Sequence, residues 1–181
     1  MNTLYRVLPD KIKKIIINED EIKLKVQETG KLISSEYEGK PLLLLSVLKG
    51  AFVFMADLCR EITIPCEIEF LKTQSYYGGT ESCGDVNIKI DIDKNLSEYN
   101  IIIVEDIIDS GRTLSKLYDI LKGRNPLSLQ VYTLLDKPER RVVPFKADKS
   151  LFVIPDLFVV GYGLDCDEQY RNLPFIAEYC G

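Results

Sequence analysis

The sequence predicts an α/β domain built on a mainly parallel, twisted sheet with helices on both faces. Two apolar runs, Leu42–Leu48 and 101–104, lack polar alternation, which is typical of strands buried on both sides. Each run leads through a glycine-containing turn into a helical pattern, at 51–60 and 113–122 respectively. Strands that alternate with helices favour a parallel sheet, because each helix returns the chain to the edge where the previous strand began.

The other elements are predicted from capping residues and short apolar segments. Asn18 and Glu21 fit a capping box, and apolar residues follow them at near-helical spacing. Further strands are predicted at Glu67–Lys72, 86–92, 127–135 and 157–162. Segment 86–92 alternates apolar and polar residues and is expected to pair with Glu67–Lys72. The polar segment 73–85 between them is expected to form a mobile loop.

Composition and length indicate one globular domain spanning residues 1–181. Hydrophobic residues make up 46% of the chain and charged residues 28%, and the longest apolar run is far too short to cross a membrane. The N-terminal residues contain no apolar h-region, so no signal peptide is expected. Five cysteines without a C-x-x-C pair argue against a disulfide scaffold or a zinc site and favour a reducing cytoplasm.

Charge and the absence of histidine narrow the chemistry further. A formal net charge of −5 and the lack of a basic stripe argue against a nucleic-acid-binding surface. The chain contains no histidine, which excludes Ser-His-Asp and Cys-His catalysis. A general base must therefore be a carboxylate, a lysine, a tyrosine or a cysteine.

The most informative segment follows the apolar run at 101–104. It places Glu105, Asp106 and Asp109 before a small, hydroxyl-bearing turn, Ser110-Gly111-Arg112-Thr113. Glycine permits a sharp turn with close backbone approach to an anion, and the start of the following helix is the positive end of its dipole. This is how an α/β sheet builds a phosphate site at the carboxyl end of a strand.

Three carboxylates beside such a turn indicate a cation. They would repel a bare phosphorylated sugar, whereas Mg²⁺ prefers a few carboxylates together with water and phosphate oxygens. The alternative interpretation is structural: Asp109 or Ser110 would cap a helix, and Glu105 and Asp106 would end a strand in solvent.

This segment resembles the ribose-5-phosphate-binding motif of the phosphoribosyltransferases. Over 42–171 the chain looks like the hypoxanthine-guanine phosphoribosyltransferase family, through Leu48-Lys49-Gly50, Ser75-Tyr76, Asp136-Lys137 and the run from Phe158 to Asp165, with Arg171 beyond. The resemblance implies a small hood, formed by the C-terminal segment and the N-terminus, and a flexible lid loop that carries Ser75 and Tyr76.

The resemblance also implies a role for each matching residue. The phosphoribosyl group would contact Glu105, Asp106, Ser110, Gly111, Arg112 and Thr113. Pyrophosphate would contact Lys49, Gly50 and Arg171. The purine would contact Lys137, Phe158, Val159 and Asp165. One Mg²⁺ would bind near Glu105 and Asp106 and a second at Asp165, and Asp109 would be the catalytic base.

The activity implied is purine salvage, in which hypoxanthine or guanine is joined to 5-phosphoribosyl-1-pyrophosphate. The expected partners are these small molecules, without nucleic acid or membrane, and a homodimer or homotetramer is expected. Alternatives are a phosphoribosyltransferase for xanthine or a pyrimidine, an RNA-binding regulator on the same fold, and a non-catalytic nucleotide sensor. Lys137 and Phe158 argue against a pyrimidine, and the acidic charge argues against RNA.

Overall fold

The fold is an open α/β sheet with a small second sheet beside it. The computed structural model describes residues 10–72 and 92–180. Within these residues the strands are β1 (Ile12–Ile17), β2 (Leu42–Leu48), β3 (Glu67–Lys72), β4 (Asn100–Ile108), β5 (Ser128–Asp136), β6 (Lys149–Val153), β7 (Val159–Val160) and β8 (Ile176–Tyr179). The α-helices are α1 (Glu19–Glu36), α2 (Phe52–Glu61) and α3 (Arg112–Lys122).

The main sheet has the order β3-β2-β4-β5-β6, and each neighbouring pair is parallel. β4 occupies the centre, between β2 and β5. The predicted parallel α/β fold is therefore confirmed. Because the strands run in one direction, the segments that follow β2, β4 and β5 all begin at the same edge of the sheet.

The core is divided by the sheet into two layers. Ile102 and Val104 of β4 pack in the layer that contains the apolar residues of α1 and α2. Ile101 and Ile103 pack in the opposite layer, with Leu117 of α3. Successive side chains of a strand point to opposite faces, so an uninterrupted apolar run is required where both faces are covered.

The second sheet joins the two ends of the described chain. It has the antiparallel order β1-β8-β7, which places the N-terminal strand against the C-terminal one. The sheet corresponds to the expected hood. Strands β1 and β8 of this sheet were not predicted from the sequence, nor was β6 at the edge of the main sheet. All three are short and carry charged residues among their apolar ones.

Helix α1 begins with the predicted capping box. The Asn18 side chain accepts a hydrogen bond from the backbone N–H of Glu21, and the Glu21 carboxylate accepts one from the N–H of Asn18, both at 2.9 Å. Such a cap stabilises a helix start by about 1 kcal/mol.

Two predicted boundaries are wrong. β4 continues to Ile108, because Ile107 and Ile108 still pair with β5, so Glu105 and Asp106 lie within the strand rather than after it. The strand predicted at 157–162 is reduced to Val159–Val160, because the backbone turns at Gly161 (φ 101°) and Tyr162 (φ 49°). The predicted loop at 73–85, and all but Ile92 of the strand predicted at 86–92, lie outside the described residues. No helix in the described part of the chain is long and apolar enough to cross a membrane.

Candidate active site

Four segments meet at the carboxyl edge of the main sheet. Lys49 and Gly50 follow β2, the turn at 109–113 follows β4, and residues 137–143 follow β5. A fourth segment, 161–173, folds back from the hood, and Gly163 lies so close to Gly50 that a Cβ there would overlap the Gly50 carbonyl oxygen. The parallel sheet thus brings together residues that are distant in the sequence.

The turn before α3 has the geometry of an anion site. Gly111 is the N-cap of α3 and has φ 79°, a left-handed conformation that favours glycine. A cavity of about 200 Å³ opens at this turn and is lined by Glu105, Asp109, Ser110, Gly111 and Thr113, among others. The positive dipole end of α3 therefore lies beside a cavity large enough for a phosphate group.

Asp109 lines the same cavity and is held by an arginine. Arg140 donates from Nε to the Asp109 Oδ1 at 3.0 Å, and its Nη1 lies 3.6 Å from an oxygen of Asp156. The Asp109 side chain remains 44% exposed, so a ligand in the cavity can reach it.

Glu105 and Asp106 face opposite sides of β4, as successive strand residues do. Glu105 faces the cavity at the phosphate turn. Asp106 faces the turn after β2, where a Cβ on Gly50 would overlap its carboxylate, so only glycine fits at position 50. Burial, and secondarily the neighbouring Asp106, raise the pKa of Glu105 well above its usual range. Burial also raises the pKa of Asp106 to about 6, against the lowering effects of a hydrogen bond from the Ile107 N–H and, more weakly, of Arg171.

A cluster of charged groups surrounds Asp106 on the side of segment 161–173. Arg171 donates to the carbonyl oxygen of Gly163 at 2.8 Å and pairs with Asp165 at 2.9 Å. Its Nε is buried without a partner among the described residues. Lys49 follows a cis peptide bond and pairs at 2.9 Å with Glu168, which also contacts Arg171. Two cationic side chains, Lys49 and Arg171, thus share the Glu168 carboxylate at this edge of the sheet.

The end of β5 supplies a buried cation. Lys137 is only 7% exposed, and its ammonium group has no hydrogen-bond or ion-pair partner in the part of the chain that the structure describes. Its backbone N–H donates to the Ile108 carbonyl at 3.0 Å, which fixes it beside the end of β4. An ammonium group carries donors and no acceptor, so a ligand with an acceptor oxygen would suit this strand end.

The hood supplies an exposed aromatic face. Phe158 is 57% exposed, and its ring contacts that of Tyr179 with 5.6 Å between the centroids. Tyr179 in turn contacts Tyr170, so the ring of Phe158 is backed by a small aromatic cluster. Val159, next to Phe158, is buried in β7.

The structure brings most of the predicted site residues to one edge of the sheet, with the exposed Arg112 and Thr113 at the start of α3. Ser75 and Tyr76 lie outside the described residues. The described residues contain no group of three or more His, Cys, Asp or Glu side chains placed to hold a metal ion. The roles of the individual residues stay predictions.

Sequence reasoning missed three charged residues of this edge, Arg140, Arg141 and Glu168. The adjacent arginines so soon after Lys137 were the available signal for the first two. Glu168 has φ 62°, and nothing in the sequence pattern indicates that segment 161–173 folds back on itself.

The comparisons with known proteins agree with this geometry. A model of the phosphoribosyl transferase domain matches residues 15–167. A hypoxanthine phosphoribosyltransferase from Buchnera aphidicola is 50% identical over 167 residues, covering 91% of this chain and 94% of the relative. A hypoxanthine-guanine phosphoribosyltransferase from Streptococcus pneumoniae is 45% identical over 171 residues, covering 94% and 95%.

Solved structures give the same result. The structure of a hypoxanthine phosphoribosyltransferase from Staphylococcus aureus matches with a TM-score of 0.88 and 41% identity, covering 93% of this chain and 92% of that chain. The fold and the comparisons together define a phosphoribosyltransferase domain on a parallel sheet, and the chain belongs to the phosphoribosyltransferase family. The expected resemblance to the hypoxanthine-guanine phosphoribosyltransferases is confirmed.

The raised pKa of Asp106 predicts how stability depends on pH when divalent cations are removed. Its pKa is about 6 in the folded chain against 3.8 ordinarily, so the folded state binds the extra proton between these values. The free energy of unfolding should therefore fall as the pH rises from 4 to above 6. Asp106→Asn should remove on the order of 2 kcal/mol of this fall, less than the full shift because the side chain is partly exposed.

The measurement is urea unfolding in EDTA at pH 4, 5, 6 and 7. Asp119→Asn, an exposed position of α3, is the control and should follow the unmodified chain. An unchanged pH dependence in Asp106→Asn would contradict the assignment of this titration to Asp106.

Proposed function

We propose that this chain catalyses purine salvage, transferring the 5-phosphoribosyl group of 5-phosphoribosyl-1-pyrophosphate to N9 of hypoxanthine, guanine or both. The products are the nucleotide and pyrophosphate. One observation carries the proposal: a phosphate-sized turn lies at the strand end next to that of Lys137, a 7% exposed residue whose ammonium group has no hydrogen-bond partner among the described residues. Both lie in a chain 45–50% identical to enzymes named for this activity.

The reaction exchanges one bond at the sugar C1′ for another. The bond from C1′ to the pyrophosphate oxygen breaks, the bond from C1′ to N9 forms, and the transition state resembles an oxocarbenium ion. The turn Ser110-Gly111-Arg112-Thr113 would hold the 5′-phosphate, because Ser110, Gly111 and Thr113 line the cavity at the start of α3. Glu105 and Asp106, at the end of β4, would orient the ribose hydroxyls.

Asp109 is the proposed general base. Its carboxylate lines the cavity beside the phosphate turn, and the Arg140 contact uses one of its two oxygens. The second oxygen would accept the proton that leaves N7 of the purine as N9 bonds to the sugar. General-base catalysis by a positioned side chain contributes about 10²–10⁴ in rate.

The pyrophosphate would lie between the turn after β2 and segment 161–173. Lys49 and Arg171 would contact it with cationic groups, and Gly50 with its backbone N–H. Lys49 now pairs with Glu168 and Arg171 with Asp165, and both carboxylates are exposed or partly exposed. Cations from solvent can therefore pair with these carboxylates when Lys49 and Arg171 turn to the pyrophosphate.

The carboxylates of this region suit Mg²⁺. Burial, and more weakly the neighbouring Asp165, disfavours the ionised form of Asp106, a cost that a hard cation would relieve. Two ions are proposed, one at the end of β4, where Glu105 and Asp106 lie on opposite faces of the strand, and a second at Asp165. When bound, Mg²⁺ would neutralise charge on the pyrophosphate and so aid its departure.

The purine would lie between Lys137 and Phe158. The Lys137 ammonium group would donate to the 6-oxo group, the exposed ring of Phe158 would stack on the base, and main-chain groups at Val159 would meet its edge. Asp165 would complete this side of the pocket.

Two other functions remain in competition. A xanthine-preferring enzyme of the same family would use the same Lys137. An RNA-binding regulator on this fold is opposed by the net charge of −5. We also propose a homodimer or homotetramer. A cytoplasmic location is supported by the four free cysteines of the described residues.

A panel of bases tests the function directly. Hypoxanthine, guanine, xanthine, adenine and a pyrimidine are each incubated with 5-phosphoribosyl-1-pyrophosphate and Mg²⁺, and nucleotide formation is followed. We expect turnover of hypoxanthine, guanine or both, and its loss in excess EDTA. Turnover of xanthine alone, or RNA binding without any turnover, would favour a competing function.

Asp109→Asn should lower kcat far more than it changes KM, by about 10²-fold or more. The amide keeps the size of the side chain and an oxygen for Arg140, but it cannot take a proton in the transition state. The measurement is steady-state kinetics with saturating hypoxanthine. A kcat equal to that of the unmodified enzyme would remove the general-base role.

Lys137→Met should reduce the preference for hypoxanthine over adenine. An ammonium group has only hydrogen-bond donors, so it can donate to a 6-oxo group. It cannot bond the donors of a 6-amino group, because two donors would then face each other. Sites built on such a hydrogen bond can reject the wrong analogue by roughly 10⁴-fold. The ratio of kcat/KM for the two bases is measured in both proteins, and an identical ratio would show that Lys137 does not read the base.

A further inference from the structure

Residues 137–143, here called the strap, run alongside the end of β4 and the phosphate turn. The Lys137 N–H donates to the Ile108 carbonyl and the Val142 N–H donates to the Ser110 carbonyl, both at 3.0 Å. Between them, Arg140 bonds Asp109 through its side chain at 3.0 Å. The strap therefore joins the residue proposed to read the purine to the turn proposed to hold the phosphate.

Arg141 supports the back of the phosphate turn. A Cβ built on Gly111 would lie 3.0 Å from Cδ of Arg141 and 3.1 Å from a methyl carbon of Val143. The space that a side chain would need at Gly111 is thus filled by the strap. A shift of the turn toward the strap would therefore bring it against Arg141 and Val143.

Arg141 is itself fixed to the end of β5. It forms an ion pair with Asp136, and its Nη1 donates to the Phe145 carbonyl at 2.8 Å. The exposed fractions of the Arg141 and Asp136 side chains are 14% and 19%. A planar guanidinium group can make both contacts at once, which an ammonium group cannot reproduce. Asp136 is the residue directly before Lys137, so the anchor of the strap is next to the proposed purine donor.

We propose that Arg141 is a positioning residue that couples the two halves of the site, so that a 5′-phosphate bound at Ser110-Gly111-Arg112-Thr113 strengthens the binding of the purine at Lys137. The proposal rests on the proposed function. A phosphate that accepts hydrogen bonds from the N–H groups of the turn holds Gly111 in place beside Arg141. It also holds Ser110 in place, and with it the hydrogen bond from Val142 to Ser110. These contacts fix Lys137 through Asp136 and Ile108. The coupling is reciprocal, because it is a difference in binding free energy.

The test measures binding without turnover. Ribose 5-phosphate supplies the 5′-phosphate but no leaving group, and hypoxanthine is titrated calorimetrically with and without saturating ribose 5-phosphate. In the unmodified protein we expect the Kd of hypoxanthine to fall about tenfold when ribose 5-phosphate is present. The reverse titration should give the same factor.

Two variants address Arg141, and a third is the control. Arg141→Gln should bring the factor close to one, and Arg141→Lys should reduce it, since lysine keeps the charge but loses one of the two contacts. Arg124→Gln, an exposed arginine after α3, should keep the full factor. A merely structural role would lower the melting temperature and leave the coupling factor unchanged.

The outcomes separate this proposal from the proposed function. A factor near one in an unmodified protein that turns over hypoxanthine would overturn the coupling and leave the function intact. If the Arg141 variants fold and keep the same tenfold coupling factor, the coupling role of Arg141 is overturned. If neither variant folds, that role is also overturned, and Arg141 is assigned to stability instead. An unmodified protein that neither binds nor converts hypoxanthine would overturn the proposed function as well.

Discussion

The parallel pairing of β4 with β2 on one side and β5 on the other is the constraint on which the rest of this structure depends. It sends the chain out at one edge three times, and each exit carries charged or glycine residues instead of apolar ones. Gly50, Asp106 and Gly163 meet there so closely that the two glycines leave no room for a side chain. A different strand order would separate these segments without changing any element. The site is therefore a property of the sheet topology more than of any single loop.

The charges at this edge are arranged at a cost that a ligand can offset. Burial raises the pKa of both Glu105 and Asp106, and Lys137 is buried without an acceptor among the described residues. Segment 161–173 adds strain, since Tyr162, Asp167, Glu168 and Tyr170 all have positive φ without being glycine. Left-handed conformations of such residues cost on the order of 1 kcal/mol each and concentrate at functional sites. A polyanionic substrate with its cation and an oxo acceptor would satisfy these groups together.

The elements that the sequence predicted correctly are those with long or regular patterns of apolar and capping residues. The buried strands β2 and β4, helix α3 and the capping box at Asn18 were predicted because each depends on neighbouring residues along the chain. The hood strands β1 and β8 were not, because β1 pairs only with β8, some 160 positions along the chain, as in the contact of Lys13 with Glu178 (|i−j| = 165), and β8 otherwise pairs only with the two-residue strand β7. The end of β4 was misplaced for a related reason. Its last residues are held by β5, and the carboxylates in that stretch resemble a strand end when read alone.

By itself, the sequence determined the fold class and the glycine turn before α3, and it predicted the candidate ligand-binding groups, because buried strands, helix starts and glycine turns are local consequences of side-chain chemistry. Tertiary structure decided which faces those groups occupy. It placed Glu105 and Asp106 on opposite sides of β4, paired Asp109 with Arg140, and set Arg141 behind Gly111. These are relations between residues from different strand ends. They are fixed only when the sheet packs, because nothing in the local sequence specifies which segment will lie beside another.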